Sequence, residues 1–159
     1  MPLEEIMTAA RILGIAILAG AIVSVSGCDD DDDDRYEEYR IACVARINEL
    51  RATESLPPLD RWGSGESCAD DEAEIDAESG VAHSAFNQCE ESAQNECPGW
   101  GSLDDIIDGC LQMMWDEGPG EPYSEHGHYI NMSNTSYSEV SCGFFVTETG
   151  AVWAVQNFR

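Results

Sequence analysis

The chain contains no lysine. Its seven basic residues are all arginine, set against 32 Asp and Glu, and residues 63–157 carry 19 carboxylates without one Arg or Lys. A surface of that sign repels nucleic acid phosphates and anionic lipid headgroups, so neither is an expected partner. It attracts cations or basic proteins, and it keeps a chain soluble where salt screens the self-repulsion. There is no CxxC pair, which leaves a zinc-ribbon type of site without its framework. There is no GxSxG turn, so Ser84 and Ser133, near histidines in sequence, do not read as activated nucleophiles. Histidine is scarce, with only His83, His126 and His128. No internal repeat occurs. At 159 residues the chain has the length of one domain.

A long transmembrane run is also missing. Residues 12–25, "ILGIAILAGAIVSV", are uncharged and apolar, short for a bilayer span but right for the apolar region of a signal peptide. Arg11 precedes them. Glu4 and Glu5 do not suit a positive leader, and a start at Met7 gives a better one. The run ends in "VSGC", which resembles the bacterial lipobox, whose cysteine is lipidated and becomes the mature N-terminus. Residues 1–27 are thus expected to be a signal peptide and Cys28 a lipid anchor. The six aspartates 29–34 repel one another and predict a short extended tether. The folded domain is expected over residues 35–159.

With Cys28 assigned to lipid, six of seven cysteines remain, an even set in an exported chain and therefore three disulfides. Fifteen pairings exist and sequence does not choose among them; the working pairing is Cys43–Cys68, Cys89–Cys97 and Cys110–Cys142.

Along the domain, residues 36–53 place Ile41, Val44, Ala45, Ile47 and Leu50 at helical spacing. Pro57 and Pro58 then force an extended exit. Ser67 is placed as the cap of a second helix reaching about His83, weakened by Gly80. Residues 86–101 read as a loop. Ser102 caps a third helix with Asp104 and Asp105 in its first turn and Ile106, Ile107, Cys110, Leu111 and Met114 on its apolar face. After Tyr123 the pattern reads as strands, with "EVSCGFFV" and "AVWAVQNF" flanking a "TETG" hairpin turn. Helices followed by strands predict an α+β layered domain.

Several stretches carry a resemblance. "INELRATESLPPL", "VAHS", "GHYINMSNTSYSEVSCGFF" and "VWAVQNF" resemble, in this order, the first helix and its exit, the helix-closing histidine, the signature and the last strand of the CAP superfamily: cysteine-rich secretory proteins, antigen 5 and pathogenesis-related proteins. Ser141 stands where that signature has Gly, and "NECPGWGS" is a local elaboration. The resemblance covers about residues 35–159. It implies a three-layer α-β-α sandwich stapled by disulfides, with a groove lined by two His and two Glu. Carried over, these are His83, His128, Glu117 and Glu91, with Glu90 the competitor for the last because the loop departs in length from the usual Gly-Glu-Asn pattern. His126 has no counterpart and reads as a rim residue or bystander.

Two neutral imidazoles can ligate Zn2+ or another divalent metal, with carboxylates completing the shell or orienting the rings. The expected function is a non-catalytic binding protein, a membrane-anchored lipoprotein facing the periplasm or cell surface, monomeric, with an unidentified ligand or partner protein. The alternative is a metal-dependent hydrolase acting on peptide or cell-wall bonds.

Overall fold

A computed structural model describes residues 35–159; the expected signal peptide, Cys28 and the aspartate tether lie outside the described residues. The elements run α1 (Glu37–Thr53), β1 (Asp60–Arg61), a 3-10 turn (Gly63–Gly65), α2 (Glu66–Ser79), β2 (Ala93–Trp100), α3 (Leu103–Asp105), a π turn (Ile106–Cys110), α4 (Leu111–Asp116), α5 (Tyr123–Ser133), β3 (Glu139–Val146) and β4 (Val152–Phe158). No helix among the described residues is long and apolar enough to cross a membrane.

The four strands form one sheet in the order β1-β3-β4-β2, with β1 parallel to β3 and the other neighbours antiparallel. Side chains alternate across it. Val140, Cys142 and Phe144 of β3 and Val152, Ala154 and Phe158 of β4 join the large apolar cluster with Cys43, Ile47 and Leu50 of α1 and Leu111, Met114, Tyr129 and Met132 from α4 and α5. On the other face α2 packs against β3 and β4, with Ala69, Ala73 and Val155 at the contact. Helices on both faces of a mixed sheet make the expected three-layer α-β-α sandwich. Gly143 permits the close approach of α2, since a Cβ there would lie 2.1 Å from the carbonyl carbon of Ala69.

Two buried arginines bind the layers. Arg40 of α1 pairs with Asp70 of α2, whose carboxylate also accepts the amide of Phe144. Arg51 is fully buried and donates to the carbonyls of Pro57, Met132 and Asn134, tying the exit of α1 to the end of α5. Ser102 caps the third helical stretch as expected, accepting the amide of Asp105.

The disulfides are Cys43–Cys142, Cys68–Cys89 and Cys97–Cys110. None of the working pairs, Cys43–Cys68, Cys89–Cys97 and Cys110–Cys142, forms. The bonds follow the layers rather than sequence order: the first joins α1 to the strand it covers, the second ties the start of α2 to the loop after it, and the third joins β2 to the π turn that follows.

Four other expectations change. The second helix starts at Glu66 with Gly65 before it, so Ser67 lies inside its first turn and does not cap it. The second helix stops at Ser79, because Gly80 adopts φ +67° and closes the helix with its amide on the Asp76 carbonyl. His83 therefore lies beyond the helix, in a turn. The stretch expected as loop contains β2, and Tyr123–Ser133 is a helix rather than a strand.

Candidate functional site

The groove has two walls. One is a stripe of α5: Ser124, Gly127, His128 and Asn131 fall at helical spacing and line one cavity of about 220 Å³ together with Tyr123. The opposite wall comes from His83 and Gln94. An adjoining cleft shares His83, Gln94, Tyr123 and Asn131 and extends past Phe86, Ile130 and Tyr137.

Glu117, just past α4, organises the α5 wall. Its Oε1 is 2.6 Å from Nδ1 of His128, and its Oε2 accepts the backbone amides of His128 at 3.1 Å and Tyr129 at 3.3 Å. A carboxylate only accepts, so the ring proton of His128 sits on Nδ1. The residue lines the groove, and in this tautomer Nε2 carries the ring's lone pair.

His83 is held differently. It adopts φ +61°, a left-handed conformation uncommon for a residue with a Cβ. The surrounding contacts determine it: Glu96 Oε2 accepts its backbone amide at 2.6 Å, and its Nδ1 lies 2.8 Å from Gln94 Oε1. The neighbouring turn is clamped in the same way. Asp76 Oδ1 accepts the Ala85 amide and the Ser84 hydroxyl, Glu72 Oε1 accepts the Gln88 amide, and Glu91 accepts the amides of Asn87 and Cys89. All four of these carboxylate residues are at least nine-tenths buried. No Arg or Lys is present in this half of the sequence to compensate them, so burial pushes Glu72 up to about 7 and Glu96 up to about 8.

Of the four expected groove residues, the structure brings His83 and His128 to one cavity and sets Glu117 against the His128 ring. Glu91 does not join them; its carboxylate closes the turn at Asn87 and Cys89. Glu90 is exposed, in a left-handed turn position. The side chain that meets His83 is Gln94, in the run Ala93-Gln94-Asn95 at the start of β2.

His126 is neither ligand nor bystander. Its Nδ1 donates to the carbonyls of Glu117 at 2.8 Å and Gly118 at 2.9 Å, and its ring lies so close to Gly120 that a Cβ there would meet Nε2 at 2.4 Å. It shapes the turn that presents Glu117. Asn131 lies under the floor, donating to the Asn95 side chain and the Gln94 carbonyl.

The donor set bears on a metal. Two imidazoles line one cavity while their Nδ1 atoms are occupied, and metal-ligating histidines are commonly oriented by such a contact at the other ring nitrogen. Two nitrogens with open positions suit a borderline cation such as Zn2+ held weakly. Glu117 is engaged with three donors and serves as orienter. Among the described residues, the one group of three or more His, Cys, Asp or Glu with ligand-type atoms within 4.8 Å of one another is Glu72, Cys89 and Glu91, away from the two histidines. It does not suit a metal, because the Cys89 sulfur is bonded to Cys68 and both carboxylates already accept amides.

No family model matches the sequence, and no curated protein does. Solved structures do match. Na-ASP-1 superposes with a TM-score of 0.58 at 12% identity over 76% of this chain, which spans 38% of that protein. NaASP2, solved with Zn2+, gives 0.58 at 15% identity over 77% of this chain and 79% of its own. An outer surface protein from Borrelia burgdorferi gives 0.52 at 17% identity, covering 82% of this chain and 95% of its own. A cysteine-rich secretory protein from Staphylococcus aureus gives 0.52 at 14% identity over 77% of this chain and 39% of its own. At such identities the likeness is one of architecture, and it agrees with the signature around His128: the chain has the α-β-α fold of the CAP superfamily.

Proposed function

We propose that the chain is an exported, lipid-anchored binding protein whose groove takes a ligand without transforming it, and which holds a divalent metal weakly between His83 and His128. The observation that carries this reading is the pair of imidazoles, each contacted through Nδ1 and both lining the same cavity. A metal bound there supplies a Lewis acid and an attachment point for the ligand. The zinc-bearing NaASP2 structure, of the same fold, is in line with it.

Hydrolysis is the weaker reading for a chemical reason. A hydrolase needs a general base free to take a proton from water. Glu117 already accepts from the His128 ring and two amides, which holds it as an orienting group, and the residue beside the His83 ring is a neutral amide. The three disulfides favour an oxidising compartment, which agrees with the signal peptide and anchor read at residues 1–28, and the domain then comprises residues 35–159.

Zinc titration tests the groove. Added Zn2+ raises the melting temperature of wild type, because a ligand of the native state stabilises it, and the His83→Ala/His128→Ala variant loses the shift. A wild type indifferent to zinc at neutral pH removes the metal from the proposal, and chelator-sensitive cleavage of a peptide or peptidoglycan mixture would replace binding by hydrolysis. Separately, Cys28→Ser releases the protein from membranes; persistent membrane association of that variant defeats the anchor.

A further inference from the structure

The Gln94 amide is the hydrogen-bonding link between the His83 ring and the protein interior, and its direction is legible from its other contacts. Gln94 Nε2 lies 3.1 Å from Glu72 Oε2 and 3.2 Å from Asn157 Oδ1. Asn157 in turn points its Nδ2 at the same Glu72 oxygen, at 2.6 Å. All three residues are buried, and Glu72 and Asn157 are almost wholly inaccessible. An amide and its flipped form have nearly the same shape, so only the network decides between them. With Glu72 ionised and Asn157 donating to it, the flipped Gln94 would press its oxygen against a carboxylate and against an amide oxygen, with no donor for either contact. The upright form gives each of these oxygens a donor.

The consequence reaches the groove. With Nε2 of Gln94 committed inward, Oε1 is the atom at 2.8 Å from His83 Nδ1, and it can only accept. The nearest charged group, Glu96 Oε2, stands at 3.8 Å from that nitrogen, beyond hydrogen-bond reach and of a sign that also favours a proton there. We infer that Glu72 and Asn157, acting through Gln94, are positioning residues that lock His83 as the tautomer protonated at Nδ1, leaving the ring's lone pair on Nε2. His128 reaches the same tautomer by a different route, the Glu117 carboxylate. The two halves of the groove thus hold their rings in the same state, one oriented by a charged acceptor and one by a neutral amide whose charge lies one residue deeper, in Glu72. A free histidine side chain favours the other tautomer, with the proton on Nε2, so both rings are held away from their default. The consequence for ligand binding rests on the groove reading above; the tautomer itself does not depend on it.

Long-range 15N–1H NMR of the imidazoles in the metal-free protein is the test, recorded at pH 8 with Glu72 ionised. Wild type should show both His83 and His128 protonated at Nδ1. Gln94→Leu, of similar size, removes the acceptor, and His83 should move to the Nε2-protonated form while His128 keeps its signature as the internal reference. Glu72→Gln is the second variant: its amide can donate to Gln94 Oε1, turn Gln94 over, and push His83 the same way without emptying the site. Zinc affinity should fall about tenfold in Gln94→Leu, the scale seen when an outer partner of a ligating histidine is lost. An Nε2-protonated or mixed His83 in wild type overturns the inference. So does an unchanged His83 in both variants with a native backbone spectrum. If the tautomers behave as stated and zinc has no effect on wild type, the relay stands and the metal reading of the groove falls.

Discussion

His128 and Glu117 meet at 2.6 Å through Nδ1 and Oε1, and the second oxygen of the same carboxylate holds the backbone amides of His128 and Tyr129. One side chain thus orients both a ring and the helix segment that carries it. Glu117→Ala leaves these donors to water and frees the ring to rotate. The variant should lose about 1–3 kcal/mol of stability and bind zinc about 10–100-fold more weakly. Denaturant unfolding and a zinc titration on one preparation measure both. Unchanged zinc affinity in a folded Glu117→Ala protein would separate His128 orientation from Glu117.

The buried carboxylates predict how stability depends on pH. Glu72 and Glu96 titrate near 7 and 8 in the folded chain, against an ordinary value of 4.5, chiefly because burial disfavours their charge. Between those limits the folded state holds protons that the unfolded state has released. Their stabilising effect is complete below about pH 4.5 and is lost as pH rises through 7 to 8. The chain should therefore melt lower at pH 8 than at pH 5.5. Glu96→Gln removes one of the two penalties and should flatten the profile, gaining on the order of 2 kcal/mol relative to wild type at pH 8. Thermal melts across that range read the slope.

Gly143→Ala should be among the most damaging single changes in the domain. The added Cβ would meet backbone atoms of Ala69 and Asp70 at 2.1–2.4 Å, and backbone in a packed helix cannot rotate aside. The cost should be about 3 kcal/mol or more. Urea unfolding measures it; a cost below about 1 kcal/mol would mean that α2 slides freely on the sheet.

The disulfides order themselves by the chain length they span. Cys43–Cys142 closes 99 residues, Cys68–Cys89 closes 21 and Cys97–Cys110 closes 13. On loop-closure entropy, replacing the first pair by Ser should cost about 4–5 kcal/mol and the last about 3 kcal/mol. Non-reducing peptide mapping checks the connectivity directly. Loss of Cys68–Cys89 should in addition loosen the turn bearing His83, which amide exchange of residues 83–89 would show.

Much of the domain could be read before folding. Apolar spacing marked α1 through Val44, Ile47 and Leu50, which are buried, although Ile41 and Ala45 lie exposed; Ser102 marked the start of the third helical stretch, and the flanking strands of "TETG" marked the hairpin, because there local chemistry agrees with the fold. β2 escaped for the opposite reason. Its buried residues include Gln94, Asn95 and Glu96, so no apolar alternation exists; Gln94 meets Glu72 of α2 on one face, and Asn95 meets the His128 carbonyl and Asn131 of α5 on the other. Helix α5 escaped because its sequence mixes Gly127, aromatics and two histidines, and what makes it helical is packing of Tyr129 and Met132 on the core. Glu91 accepts the amides of Asn87 and Cys89 while Gln94 meets the His83 ring, because the segment after His83 folds back as a clamped turn whose contacts distance along the chain does not measure.

The sequence by itself determined the fold class, the three disulfides as a number, and the histidines of the groove, since residue type and local spacing are enough for those. Only the tertiary structure decided which cysteines meet, that Gln94 rather than Glu91 faces His83, and that His126 braces a turn. Each of these depends on which surfaces the three layers press together, and that is a property of distance in space between residues far apart along the chain.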